Sequence, residues 1–304
     1  MRIKQWAKNF VIFAVCFFAW GDANQGLRET PWQVAALATA AFFVFCLVSS
    51  GVYIFNDLRD READRNHPVK CKRPFASGAL GVRAGIFAGA LLFAFGFAGA
   101  WMLGLRFLGC VAAYLVLQAA YTLFLKRVAL VDVVVIALGF VIRAAAGAAA
   151  LWGLAPVRVS MWLLACTFLL ALFLALCKRR HEKRLLGADG GSHRAALAGY
   201  SGRALDAMVR ACAATVVACY AVYTLLPDTR LRFGTDWLWL TIPCVVLGVW
   251  RYLHLVYKGN SGGSPEKVFL TDFLMLAIMA SYAAVVLAVM RGFAWIFPLD
   301  MPGN

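Results

Sequence analysis

Long apolar runs follow one another along the chain, separated by short polar breaks. They fall at approximately 9–22, 33–55, 84–104, 107–124, 128–151, 160–177, 206–226, 237–257 and 269–290. As helices, the last eight are long enough for a hydrocarbon core of about 30 Å. The first is shorter and follows Arg2, Lys4 and Lys8, as a helix starting at a membrane interface would. Its basic start, short apolar core and small residues near Gly21 and Ala23 also match a secretory signal. Nearly everything downstream is apolar too, and the topology closes better with this run retained, so it counts as the first span. The pattern predicts one all-α integral membrane domain over residues 1–304, with about nine transmembrane helices.

Composition agrees. Only 15% of the 304 residues are charged, 63% are hydrophobic and the mean hydropathy is +0.76, which excludes a soluble domain. The net charge of +15 would suggest nucleic acid in a soluble protein; here it points to loops facing anionic lipid, or to anionic substrates. If the N-terminus is inside, twenty-one lysines and arginines lie on the inner side and six outside, with Arg143, Arg210 and Arg251 inside the runs. This predicts a multi-pass protein of the cell (inner) membrane, with its N-terminus cytoplasmic and C-terminus outside. The long charged loops 56–83 and 178–205 then both face the cytoplasm. They are offset by 122 residues, which suggests a pseudo-repeat of 1–127 and 128–258 followed by a ninth helix, 269–290. The nine cysteines stand singly and the four histidines lack metal-ligand spacing, so neither a disulfide nor a zinc framework is expected.

Candidate chemistry concentrates in YIFNDLRDREADRNHPVKCKRP, Tyr53 to Pro74, which holds four of the fifteen acidic residues. Asn56, Asp60 and Asp64 recur at i, i+4 and i+8, and Asp57 lies three before Asp60. Two further helical turns would put all four on one face. Carboxylates so close repel one another unless a cation sits between them, and oxygen-only donors suit Mg2+ shared with a substrate phosphate. Lys70, Lys72 and Arg73 follow, suited to phosphate. The alternative is a solvated loop whose acids are neutralised by Arg61 and Arg65.

NDxxDxxxD after the second run resembles the first aspartate motif of the UbiA superfamily of intramembrane prenyltransferases, matched completely by Asn56, Asp57, Asp60 and Asp64. The resemblance implies a UbiA-like bundle, with Mg2+ held by Asp57, Asp60 and Asp64 against a diphosphate leaving group. Aromatic prenyltransferases of that superfamily carry a second acidic motif after the sixth span. Here CKRRHEKRLLGADGG stands in its place, with Lys178 opposite Asn56, Arg179 opposite Asp57 and Glu182 opposite Asp60. A basic loop suits two separate phosphorylated substrates, although a positive-inside anchor would be basic as well.

MRIKQWAKN, YTLFLKRVALVDVVVIALGFVIRAAAG, LCKRRHEKRLL and GGSPEKVFLTD together resemble the phosphoribosyltransferase branch that acts on decaprenyl phosphate, over nearly the whole chain. This implies phosphoribosyl diphosphate (PRPP) as donor and a polyprenyl phosphate as acceptor. The product would be polyprenyl-phosphoryl-phosphoribose, a precursor of lipid-linked pentoses for cell-envelope glycans. Substrate contacts are expected from Asn56, Lys70, Arg73, Lys178, Arg179, Arg180 and Glu182.

The fifth run adds Asp132 and Arg143, eleven apart on one helix face, either functional or paired with neighbouring helices. Lys126 just before it is placed to reach a phosphate. Tyr114, Gln118 and Tyr121 share a face of the fourth run and line a polar cavity, unless the tyrosines belong to an interfacial belt. Arg210 and Arg251 read as snorkelling side chains. Glu266 and Asp272 follow a helix start at Ser264–Pro265. Two other functions would leave different patterns. Prenyl transfer to a small aromatic acceptor predicts an acidic second motif, and a transporter predicts polar residues spread through several spans.

Overall fold

Each of the nine apolar runs falls on helix in the computed structural model, which describes residues 3–27, 30–65, 70–186, 199–258 and 263–292. No strand occurs among the described residues. A 3-10 segment, Ile3–Phe10, leads into α1 (Val11–Gly21). Then come α2 (Pro31–Arg59), α3 (Arg61–Arg65), α4 (Val82–Met102), α5 (Leu105–Leu123), α6 (Val131–Ala150) and α7 (Met161–Leu186). The remainder is α8 (Gly202–Leu225), α9 (Pro227–Phe233), α10 (Ile242–Tyr257), α11 (Pro265–Thr271) and α12 (Phe273–Leu287). Among the described residues, eight helical stretches are long and apolar enough to cross a membrane.

The expected first span is built differently. Its eleven-residue α part rises about 16 Å, roughly half the hydrocarbon core, and it follows an eight-residue 3-10 part, IKQWAKNF, that carries Lys4 and Lys8. Ile12, Val15, Cys16 and Ala19 are buried, chiefly against α6 and α2. Gly147 of α6 permits the approach, because a Cβ there would lie 2.9 Å from the Ile12 carbonyl oxygen.

Lipid offers helices no hydrophobic incentive to associate, so close van der Waals contact has to hold them. The α2–α4 pair illustrates this, with Gly96 and Gly99 of α4 lying directly beneath Val48 and Val44 of α2. One buried cluster joins α1, α2, α5 and α6; a second joins α7, α8, α10 and α12.

Two local departures from the sequence reading shape the site. α2 does not run unbroken through the acidic motif; it ends at Arg59, Asp60 forms its C-cap, and α3 resumes at Arg61. KRRHEKR, expected in a loop, lies on the last turns of α7, nine residues beyond the apolar run. A helix can leave the bilayer without breaking, because water satisfies its side chains as readily as a loop's. The charged ends of α2, α5, α6 and α7 lie together, joined by ion pairs from Asp60 to Lys126 and from Asp132 to Arg179.

Candidate active site

Backbone hydrogen bonds from Asp60 N to Asn56 O (2.9 Å) and from Asp64 N to Asp60 O (2.8 Å) carry the helical register across the α2–α3 break. Asp57, Asp60 and Asp64, at i, i+3 and i+7, therefore stay on one side. Their side chains then divide. Arg73 Nη1 donates to Asp57 Oδ1 at 3.2 Å and to Asp64 Oδ2 at 2.6 Å. Lys126 Nζ reaches both oxygens of Asp60, at 2.7 and 3.0 Å. Arg59 donates to the Thr122 carbonyl at 2.9 Å, tying the end of α2 to the end of α5, just before Lys126. Arg73 is anchored through its neighbour Phe75, whose buried ring lies on Gly85 of α4, where a Cβ would approach within 2.4 Å. Glu62 is exposed and paired with Arg61 and Arg65, and the Arg61 hydrogen bond lowers its pKa. The neutralising role expected of Arg61 and Arg65 thus falls on Glu62.

The donor set fits a hard divalent cation in chemistry. All donors are oxygens, Asp57 and Asp64 already share one positively charged nitrogen, and Asn56 Oδ1 is buried with no hydrogen-bond partner among the described residues. With Asp60 turned aside to Lys126, no group of three or more His, Cys, Asp or Glu among the described residues is gathered for a metal.

A second polar centre lies where α6 begins and α7 ends. Arg179 is 2% exposed and Asp132 0%. Arg179 Nε donates to Asp132 Oδ2 at 2.7 Å, and its Nη1 pairs with Glu182 one turn on. Tyr200 closes the network: its hydroxyl donates to Asp132 Oδ1 at 2.8 Å and accepts from Leu130 N at 2.7 Å. Leu130 has φ +67° and ψ −47°, the centre of a γ-turn closed by Val131 N donating to the Ala129 carbonyl at 2.8 Å; the conformation is costly for a leucine, and the Tyr200 bond braces it. Burial, reinforced by the bond to Asp132, pushes the Tyr200 phenol above its usual pKa. Half-buried Lys178 lies in the field of Lys8, Arg179, Glu182 and Glu266, and Tyr121 lies in that of Arg179. Arg180 turns away, pairing with Asp206, donating to the Val256 carbonyl at 3.3 Å and stacking on Tyr257.

Residues 10–277 match the family model described as the UbiA prenyltransferase family. The chain belongs to that family. Among its relatives is the decaprenyl-phosphate phosphoribosyltransferase of Mycobacterium tuberculosis (strain ATCC 25618 / H37Rv), 32% identical over 94% of this chain and 91% of that one. The protein of the same name from Mycolicibacterium smegmatis is 30% identical over 94% and 89% of the two chains. A UbiA homolog from Archaeoglobus fulgidus, solved bound to GPP and Mg2+, shares the fold with a TM-score of 0.66 at 19% identity, covering 95% of this chain and 97% of that one.

In this UbiA chain Asp132 and Arg143 belong to separate networks despite their common helix face. Arg143 is buried, with Nε donating to Asn9 Oδ1 (2.8 Å), Nη1 to the Gly139 carbonyl (3.0 Å) and Nη2 to the Tyr114 hydroxyl (2.8 Å). Gln118 lies one turn further toward Lys126, its amide against Gly139. Arg251 does not snorkel freely; its fork grips both oxygens of Asp272, at 3.1 and 2.7 Å. Glu266 accepts from Gln5 at 3.0 Å. The side chain of Lys70 lies outside the described residues. Sequence reasoning did not single out Asn9, Arg59 or Tyr200. Asn9 carried one signal, an amide opening an apolar run; Tyr200 carried none.

Proposed function

We propose that this UbiA-family membrane protein transfers the 5-phosphoribosyl group of PRPP to a polyprenyl phosphate of decaprenyl type, releasing diphosphate. One observation carries the reading: the two charged helix ends that flank the start of α6, joined to it through Lys126 and Asp132, differ in sign. α2 and α3 bring Asp57, Asp60 and Asp64, while α7 brings Lys178 and Arg179 with Glu182 as the single acid beside them, Arg180 being turned toward Asp206. Two anionic substrates require cations on the second end, whereas an allylic diphosphate held between two metal clusters requires acids there. The names of the full-length relatives support the same choice.

In this mechanism Asp57, Asp60, Asp64 and Asn56 would hold Mg2+. When bound, it supplies positive charge where the departing diphosphate becomes more negative. The bond between the anomeric carbon and the diphosphate oxygen breaks as a lipid phosphate oxygen bonds to that carbon. The acceptor is already an anion, so no residue has to remove a proton. Arg73, Lys126 and Lys178 neutralise and orient phosphate oxygens. Arg179 acts indirectly, since Asp132 and Glu182 fix it and with it the last turns of α7. The isoprenoid tail lies among the helices. The excess of lysine and arginine at this end supports a cytoplasmic site in the cell membrane, with the product feeding lipid-linked pentose donors for envelope glycans.

The test is an organic-phase count. Purified protein is given PRPP labelled in the ribose, polyprenyl phosphate and Mg2+. Label entering lipid in step with diphosphate release is expected. No label in lipid, together with turnover of a polyprenyl diphosphate on an aromatic acceptor, would overturn the reading in favour of prenyl transfer.

A further inference from the structure

The three aspartates of the motif stand within about two helical turns where α2 gives way to α3, and among the described residues two side-chain cations, Arg73 and Lys126, pair with them. Arg73 is engaged in an unusual way. A single nitrogen, Nη1, bridges two carboxylates, while Nη2 and Nε have no partner among the described residues. A guanidinium paired for structural reasons favours a fork onto one carboxylate, as Arg251 makes with Asp272 in this chain. The Arg73 geometry is instead that of a point cation shared by two ligands. Asp57 and Asp64 are buried, so without such a cation their repulsion would be poorly screened. Asn56 Oδ1, adjacent in sequence, is a buried acceptor that neither cation fills.

We propose that Arg73 and Lys126 are internal stand-ins for the divalent cation. They hold the carboxylates together in the metal-free enzyme, give way when the cation binds, and turn to the phosphate oxygens of PRPP. The inference rests on the metal-clamp reading above. A divalent ion brings the same two positive charges that Arg73 and Lys126 supply together. The exchange therefore leaves the net charge of the cluster unchanged. It also releases two cations where a diphosphate is to bind, and Arg73 keeps a free edge for that purpose. Both side chains are partly solvent-exposed, 27% for Arg73 and 22% for Lys126, so neither must cross a packed interior to move.

Mn2+ binding to the full chain in lipid nanodiscs, followed by electron paramagnetic resonance, tests this without reference to turnover. Wild-type protein should bind Mn2+, and Asp57→Asn should abolish binding. If wild type binds none, the metal clamp and the stand-in role fall together. If it binds, Arg73→Gln and Lys126→Gln test the stand-in role alone. Each should tighten the apparent Mn2+ affinity by about threefold to tenfold, because a competing cation is gone. At saturating Mn2+ the same variants should bind PRPP about tenfold more weakly, since a charge-assisted phosphate contact is lost. Arg73→Lys keeps the competing charge and should stay within about twofold of wild type in Mn2+ affinity. Weakened Mn2+ binding in Arg73→Gln would make Arg73 a scaffold that the metal needs, and unchanged binding in both variants would make the two cations bystanders. Either result overturns the proposal, and Lys126→Gln tests the same exchange independently if Arg73→Gln does not fold.

Discussion

Asp132→Asn isolates the polar centre between α6 and α7. Asp132 is 0% exposed, so water cannot replace what it loses. Its two oxygens accept from Arg179 Nε at 2.7 Å and Tyr200 Oη at 2.8 Å. Asparagine keeps one acceptor and turns an amide N–H group toward the other donor. Removing one partner of a buried ion pair costs about 3 to 5 kcal/mol. Arg179 retains Glu182, which lowers the expected loss to about 2 to 3 kcal/mol. Unfolding by SDS titration in mixed micelles reads this directly. The double variant Asp132→Asn/Arg179→Gln should be more stable than the sum of the single losses predicts, by at least about 1 kcal/mol, because no uncompensated charge remains buried. A single-variant loss under about 0.5 kcal/mol, or strict additivity, would refute the idea that this pair fixes the end of α7. The structural role also predicts a pattern in kinetics, with the folded fraction falling before the KM for PRPP rises.

Three shorter predictions address other parts of the molecule. Asp57→Asn and Asp64→Asn should each lower phosphoribosyl transfer at least about a hundredfold with the folded yield retained, checked by the organic-phase assay beside size-exclusion chromatography; transfer above a tenth of wild type in both would place the metal elsewhere. Gly147→Ala should destabilise the protein by about 1 to 3 kcal/mol and loosen the first segment, read by SDS titration and by labelling of Cys16, because the new Cβ meets the Ile12 carbonyl. Arg251 holds the Asp272 carboxyl below its usual pKa, so the pair stabilises the fold above the unfolded carboxylate value of about 3.9 and loses that contribution as pH falls through the lower folded value. The stability gap between wild type and Arg251→Gln should therefore be full near neutral pH and close in acid; a gap independent of pH would show that packing, and not charge, connects the two.

The membrane helices could be placed from hydropathy alone, because a bilayer demands an unbroken apolar run of fixed length and allows no exposed backbone in between. NDLRDREAD and KRRHE were legible for a similar reason, since charges at the mouths of such runs stand out against 63% hydrophobic composition. Helix ends were less legible. Apolar periodicity stops at the membrane surface, whereas α7 continues through KRRHEKR to Leu186. Partner choice was not legible at all. Asp60 lies one turn from both Asp57 and Asp64, yet it pairs with Lys126, sixty-six residues away, while the other two share Arg73. Asp132 and Arg143 share a helix face, but one meets Arg179 and Tyr200 and the other Asn9 and Tyr114. Sequence spacing says which side of a helix a charge occupies. Which counter-charge it meets depends on the neighbouring helix at that height, and only packing across the bundle decides that.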